Sequence, residues 1–302
     1  MSISDIEETF IELNTFINLN GNEWLEEFTR TLSSEELKTL CENQNISNNW
    51  LGIRIHKECK DEVDLRMVRN CKFYGIIVFG DFDSNFEIEV DGHPFPPQVF
   101  DTTFHGTVIL QSNILIDSCS LVSDVILMEG GVLFHCGSVL GSGSQNEDQI
   151  FGLSSTSRIG SESSSNRQIP HLGGLMVSYQ YLLKMEIGDV ESRIEELKSK
   201  VGEGYSKFSI FGPNSSIISC LNIQSMFTIN SKIRDCMSPL SNCTFLGDTE
   251  SEVDICASLE LSDSLFCSGS CVSNGAIVRS SLILEHSEIS DHATVLFLFY
   301  WS

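Results

Sequence analysis

Positive charge is scarce in this 302-residue chain. Its 18 lysines and arginines stand against 42 aspartates and glutamates, a formal net charge of −24. That balance argues against electrostatic binding to nucleic acid or to an anionic membrane surface. Long apolar runs are missing as well. The longest, Val295 to Trp301 (VLFLFYW), falls well short of the roughly eighteen residues of a spanning helix. The start, Met1 to Glu8, is acidic and polar, without the basic stretch and apolar core of a secretory signal. Nucleotide and acyl-transfer loops are absent too. Neither G-x-x-x-x-G-K-[ST] nor G-x-S-x-G occurs, and no glycine-rich loop with a following basic residue, which would cradle phosphates, precedes residue 109.

What is present suffices for a packed core. Hydrophobic residues make up 41% of the chain and the mean hydropathy is +0.02, which excludes wholesale disorder. The length suits one large domain or two small ones. Cysteine is abundant, at eleven. The number is odd and no paired CxxC appears, so reduced thiols in the cytoplasm are expected, acting as small core residues. His135-Cys136, Cys236-x6-Cys243 and Cys267-x3-Cys271 lack the spacing of a structural zinc site. No metal is expected.

The chain opens on helical patterns. Ser4 and Glu7 have capping-box spacing ahead of the stripe Ile6, Phe10, Leu13 and Ile17. Ser33 and Glu36 repeat the box before Leu37 and Leu40. From Arg66 to Val90 short strands follow, around Phe73 to Phe79 and Phe86 to Val90, and 92–97 (GHPFPP) reads as a stiff turn.

A period of six then takes over. Ile109, Leu115, Leu121, Leu127, Leu133 and Val139 are all aliphatic, and the adjacent phase, Leu110 to Leu140, is wholly apolar too. The period returns in Val253, Leu259, Leu265, Cys271, Ile277, Ile283, Ile289 and Val295, with a shorter run at Ile217, Ile223 and Ile229. Four residues after each site comes a mostly small residue, such as Gly131, Gly137, Gly269 or Gly275. Six matches neither a helix nor a strand. It matches a coil of three flat faces, each with one inward aliphatic and one tight corner, at about eighteen residues per turn. Two stretches interrupt the pattern: a polar loop, 141–168, and a helical insertion, 175–203, striped by Val190, Ile194, Leu197 and Val201.

The hexads, [LIV]-x-x-x-[small]-x, resemble those of left-handed parallel β-helices. That fold is shared by the trimeric UDP-N-acetylglucosamine acyltransferase-like superfamily and by tail domains of sugar nucleotidyltransferases. Local wording resembles the start of an uncharacterised bacterial-type family of long hexapeptide-repeat proteins. The matching pieces are 32–37 (LSSEEL) ahead of Trp50, 68–75 (VRNCKFYG), 104–108 (FHGTV), 166–170 (NRQIP) and the helix after His171. The resemblance covers roughly residues 30 to 295. Its members continue into further coils, whereas Val295 to Ser302 breaks the hexad rule here. The family brings no established reaction with it. The resemblance implies a mainly β protein: an α+β N-terminal region, 1–98, then a left-handed parallel β-helix, 99–302.

Two functional readings follow. The first is a non-catalytic structural or ligand- and partner-binding module, since no clustered titratable set is visible. The second is a hexapeptide-type acyltransferase or nucleotide-sugar enzyme, acting as a homo-oligomer on acyl-CoA or a sugar nucleotide. Such enzymes are implied to use a histidine base at a coil corner. His105, at the mouth of the first regular coil, ranks first. His135, His286 and His292 are plainer surface candidates. Arg158 and Arg167, near His171, are rare cations suited to a carboxylate or phosphate. Convergence of His105, His171 and these arginines on one cleft would favour the enzyme. No cofactor is otherwise evident.

Overall fold

The computed structural model describes residues 23–59, 62–141, 156–159, 167–170, 208–237, 240–296 and 299–300. It opens with two short helices, Glu23–Phe28 (α1) and Ser34–Glu42 (α2). The capping box read from Ser33 and Glu36 is present: Ser33 accepts the Glu36 N–H at 3.2 Å, and Glu36 accepts the Ser33 N–H at 2.8 Å. Glu36 does more than cap. Its carboxylate holds both terminal nitrogens of Arg30, at 2.7 and 2.8 Å, and the Val63 N–H at 2.9 Å.

The rest is mainly β and mainly parallel. Sixteen strands form one sheet and nine form another. Each turn of chain places three short strand segments, as in Val253–Cys256, Glu260–Ser262 and Leu265–Cys267, and the next turn pairs with all three. We name the sides by these strands. The first is the nine-stranded sheet, and the second and third are the two halves of the larger one. The stack already includes Ile53–His56, Val68–Arg69 and Lys72–Phe79, the last in register with Thr103–Leu110 over eight residues. The expected lead-in of residues 1–98 therefore contributes turns of its own.

The regular turn is seventeen residues, not eighteen, with a shorter one where Ser216 faces Lys232 and longer ones where loops are inserted, as where Ser231 faces Val253. Leu115 faces Val132, Ile223 faces Leu240 and Glu260 faces Ile277. Inward residues advance in steps of six, five and six: Ile255, Leu261, Phe266, Val272, Val278, Ile283, Ile289 and Val295 all belong to the central cluster. The five-residue step shifts the phase once per turn, which explains why two adjacent phases both read as apolar. It also corrects the expected ladder. Leu127, Leu133, Val139 and Ile283 do point inward. Leu121 is half-buried, Leu259 is exposed, Cys271 is half-buried, and Ile109 and Leu265 join a separate cluster outside the third side.

Corners set this geometry. Asn70, Asp101, Ser118, His135, Ser219 and Asp235 each adopt positive φ, between 52 and 56° except for Asp101 at 45°. Short polar side chains tolerate that left-handed conformation best among residues with a Cβ. Asparagines at the corners also brace successive turns, as Asn70 does by donating to Asp101 at 2.8 Å and Asn242 to Asp263 at 2.6 Å. Inside, aromatic rings stack in register: Phe245 lies 4.7 Å from Phe266 with planes 5° apart.

The third side is apolar on its outer face as well. Val78, Ile109, Ile126, Ile210 and Phe227 share one register column and are buried, and Leu25 of α1 packs into the same cluster. Residues 141–208 interrupt the turn between the second and third sides. The chain leaves after Ser138–Leu140, paired to 121–123, and returns at Ser209–Phe211, paired to 125–127. Within the expected polar loop, Thr156–Ile159 and Arg167–Pro170 form an antiparallel pair. The helices expected over 4–17 and 175–203 lie outside the described residues. At the other end, Thr294–Leu296 pairs with Ile277–Arg279 and Phe299–Tyr300 with Leu282–Ile283. Val295 onward thus continues the seventeen-residue register rather than breaking it.

Candidate functional site: a groove beneath the Asp91-Gly92 hairpin

The expected stiff turn at 92–97 is in part a strand, His93–Phe95, with Gly92 in the turn before it. Ile88–Val90 and His93–Phe95 pair as an antiparallel hairpin, with Val90 opposite His93. The two residues between them, Asp91 and Gly92, have φ of 49° and 79°, the pattern of the primed turn that suits strand twist. Pro94 fits because the hairpin pairs on one edge only. Its apolar residues, Ile88, Val90 and Phe95, pack on Leu115, Val132, Ile218 and Phe134 of the first side. The Phe95 and Phe134 rings are 5.5 Å apart.

Beyond Ile218 the outer face turns polar. The hairpin tip and that face enclose a groove of about 660 Å³, lined by Glu89, Asp91, Gly92, Ser216, Ile218, Lys232, Arg234, Asp235 and Cys256. Arg234 dominates its electrostatics. One terminal nitrogen donates to both Asp254 oxygens, at 3.0 and 3.2 Å, and the other lies 3.6 Å from Asp91. Burial works against the charge, but the Asp254 hydrogen bond and carboxylate outweigh it, raising the pKa. The Arg234 Nε is buried and has no hydrogen-bond partner. Lys232 pairs with Glu252 at 2.8 Å. The lining thus offers two cations, Lys232 and Arg234, together with the carboxylates of Glu89, Asp91 and Asp235. No histidine lines it.

None of the expected site residues is among those lining the groove. His105 is exposed on Thr103–Leu110, on the second side, opposite Tyr74 and Ser123. Arg158 faces Gln168 and Arg167 faces Ile159 across the antiparallel pair, while His171 lies outside the described residues. His135 sits on a corner with its ring 4.1 Å from that of Phe134. His286 and His292 occupy successive corners, packed over Gly269 and Gly275. Among the described residues no three histidines, cysteines or carboxylates are grouped to hold a metal. No helix among them is long and apolar enough to cross a membrane.

Reading residues alone passed over Lys232 and Arg234. Their signals were the alternation S-K-I-R and the Asp-Gly pair between alternating apolar residues, 88–95 (IEVDGHPF).

Stacked parallel turns, a small capping region and a surface groove define a mainly β protein of repetitive build. A model of the DUF4954 family, a domain of unknown function, matches residues 29–297, and the chain belongs to that family. No curated protein and no solved structure matches it.

Proposed function

We propose that this chain is a non-catalytic binding module whose groove takes a small ligand bearing an oxyanion, a carboxylate or a phosphate. The two cations that line the groove, Lys232 and Arg234, carry the reading, since a cation is what a carboxylate or phosphate pairs with. Lys232 stands two residues from Arg234 on the same outer face, adding charge to the same end of the groove. The carboxylates Glu89 and Asp91 on the hairpin would select a ligand that also presents a donor or cation, such as the amine or hydroxyls of a sugar or amino acid.

The module is read as a left-handed parallel β-helix of the acyltransferase-like type. Short strands, one left-handed residue per corner and steps near six support that hand. All eleven cysteines are free thiols, which supports a reducing compartment such as the cytoplasm.

Thermal shift tests the binding reading, with inorganic phosphate, nucleotide sugars and acyl-CoAs as probes. A ligand at a hundred times its Kd adds about 2.7 kcal/mol. A rise with phosphate or a nucleotide sugar that disappears in Arg234→Gln supports the groove. A rise with acyl-CoA that survives Arg234→Gln but not His105→Ala would instead favour an acyltransferase, and no rise with any probe would count against both.

A further inference from the structure

One corner of the stack lines up thiols. The residue after each left-handed corner points inward, and on four successive turns it is Cys119, Cys136, Cys220 and Cys236, each no more than 1% exposed. Their alignment follows from register, since Asp117, Phe134, Ile218 and Arg234, two residues before each, are stacked partners. Residues 141–208 intervene between Cys136 and Cys220 without breaking the column. Neighbouring turns show that a thiol is optional at this position: Thr102 precedes the run and Ser258 follows it.

The sulfurs have a direction. Cys119 donates to the Leu133 carbonyl at 3.5 Å and Cys136 to that of Ile217 at 3.5 Å. Cys236, at the end of the run, is also an acceptor: the Ser258 hydroxyl donates to its sulfur at 3.2 Å.

We propose that this column binds soft monovalent d10 cations, Cu(I) or Ag(I), in two-coordinate sites between successive sulfurs, since among the described residues no three ligating groups come together around one ion. Turns in a parallel stack are about 4.8 Å apart. Two metal–thiolate bonds end to end, each taken at about the 2.3 Å of a zinc–thiolate bond, span nearly that distance, and thiolates select such ions. A filled column balances as three M⁺ plus four R–SH giving [M₃(SR)₄]⁻ plus four H⁺. Three metal ions and four thiolates so arranged carry one net negative charge inside, much less than four bare thiolates would.

The test uses the reduced full-length chain with the accessible thiols removed (Cys41→Ser, Cys59→Ser, Cys256→Ser and Cys271→Ser). Silver nitrate is titrated in chloride-free buffer while the ultraviolet thiolate-to-metal absorption, released protons and β-sheet circular dichroism are followed. The expected result is saturation near about three ions with proton release and an unchanged β signal. Adding Cys136→Ser and Cys220→Ser should abolish the tight uptake, and serine suits the column because Ser258 already occupies it. Adding Cys71→Ser instead should leave uptake intact. Uptake that survives Cys136→Ser with Cys220→Ser, uptake that requires loss of the β signal, or no uptake by the folded chain would each overturn the proposal.

Discussion

The Ser209 hydroxyl donates to the Leu140 carbonyl at 2.6 Å, across a sequence separation of 69. It also accepts the Met226 N–H at 3.1 Å. One buried side chain thus joins the strands Ser138–Leu140 and Ser209–Phe211 and ties both to the following turn. Ser209→Ala removes a donor and an acceptor at a fully buried position. It should cost about 1–3 kcal/mol, seen as a lower urea midpoint with unchanged m value. A threonine there should retain most of the stability. Equal stability of the alanine variant would mean that the corner closes without the hydroxyl.

Phase gives a sharper test. Leu259 and Leu261 are two residues apart, but Leu261 is fully buried inside and Leu259 is 39% exposed. A strict period of six reverses their roles. Leu261→Ala should cost about 2–5 kcal/mol, and Leu259→Ala should stay within about 0.5 kcal/mol. Chemical denaturation of the two variants decides between stepping by six, five and six and stepping by six alone.

Much of this architecture was readable because hydrophobic spacing reflects which side chains leave water. The aliphatic runs around Leu133 and Ile283 located the stack, and Ser33 with Glu36 located α2. The short step was not readable: Ile109 and Leu265 are apolar for a different reason, the second cluster on the outer third side, so composition alone could not tell inside from outside. Site residues were harder still. His105 drew notice because of its chemistry but stands exposed, away from the groove. Arg234 acquires its meaning from Asp91, brought beside it by a hairpin that begins far earlier in the chain.

Glu36 makes α2 acid-sensitive. Burial raises its pKa, but the Arg30 hydrogen bonds and the Ser33 and Val63 N–H groups more than reverse this, lowering it from 4.5 to about 2. A carboxyl depressed on folding contributes stability that is fully present above its unfolded pKa and is lost as pH falls through the folded one. The loss should therefore run between pH 4.5 and about 2, by at most about 3 kcal/mol. Glu36→Gln should be less stable than the parent at pH 7 and should lack that segment of the pH profile. Equal slopes below pH 4.5 in the two proteins would show that other carboxylates carry the acid response.

Glycine at the later corners is demanded by histidine as well as by backbone. Gly275 has φ of +76°, and a Cβ there would run into the His292 imidazole on the next turn, whereas Gly92 has φ of +79° with open space around it. Both glycine-to-alanine changes meet the left-handed penalty of about 1–2 kcal/mol. Only Gly275→Ala adds a collision, so it should be the more damaging of the two. Removing the ring should separate these contributions: in a double-mutant cycle, His292→Ala should restore the collision component but not the backbone penalty. Gly275→Ala with His292→Ala should then match Gly92→Ala in its loss of stability. Purely additive effects of Gly275→Ala and His292→Ala would show that the imidazole swings away at no cost and that backbone conformation alone demands glycine at this corner.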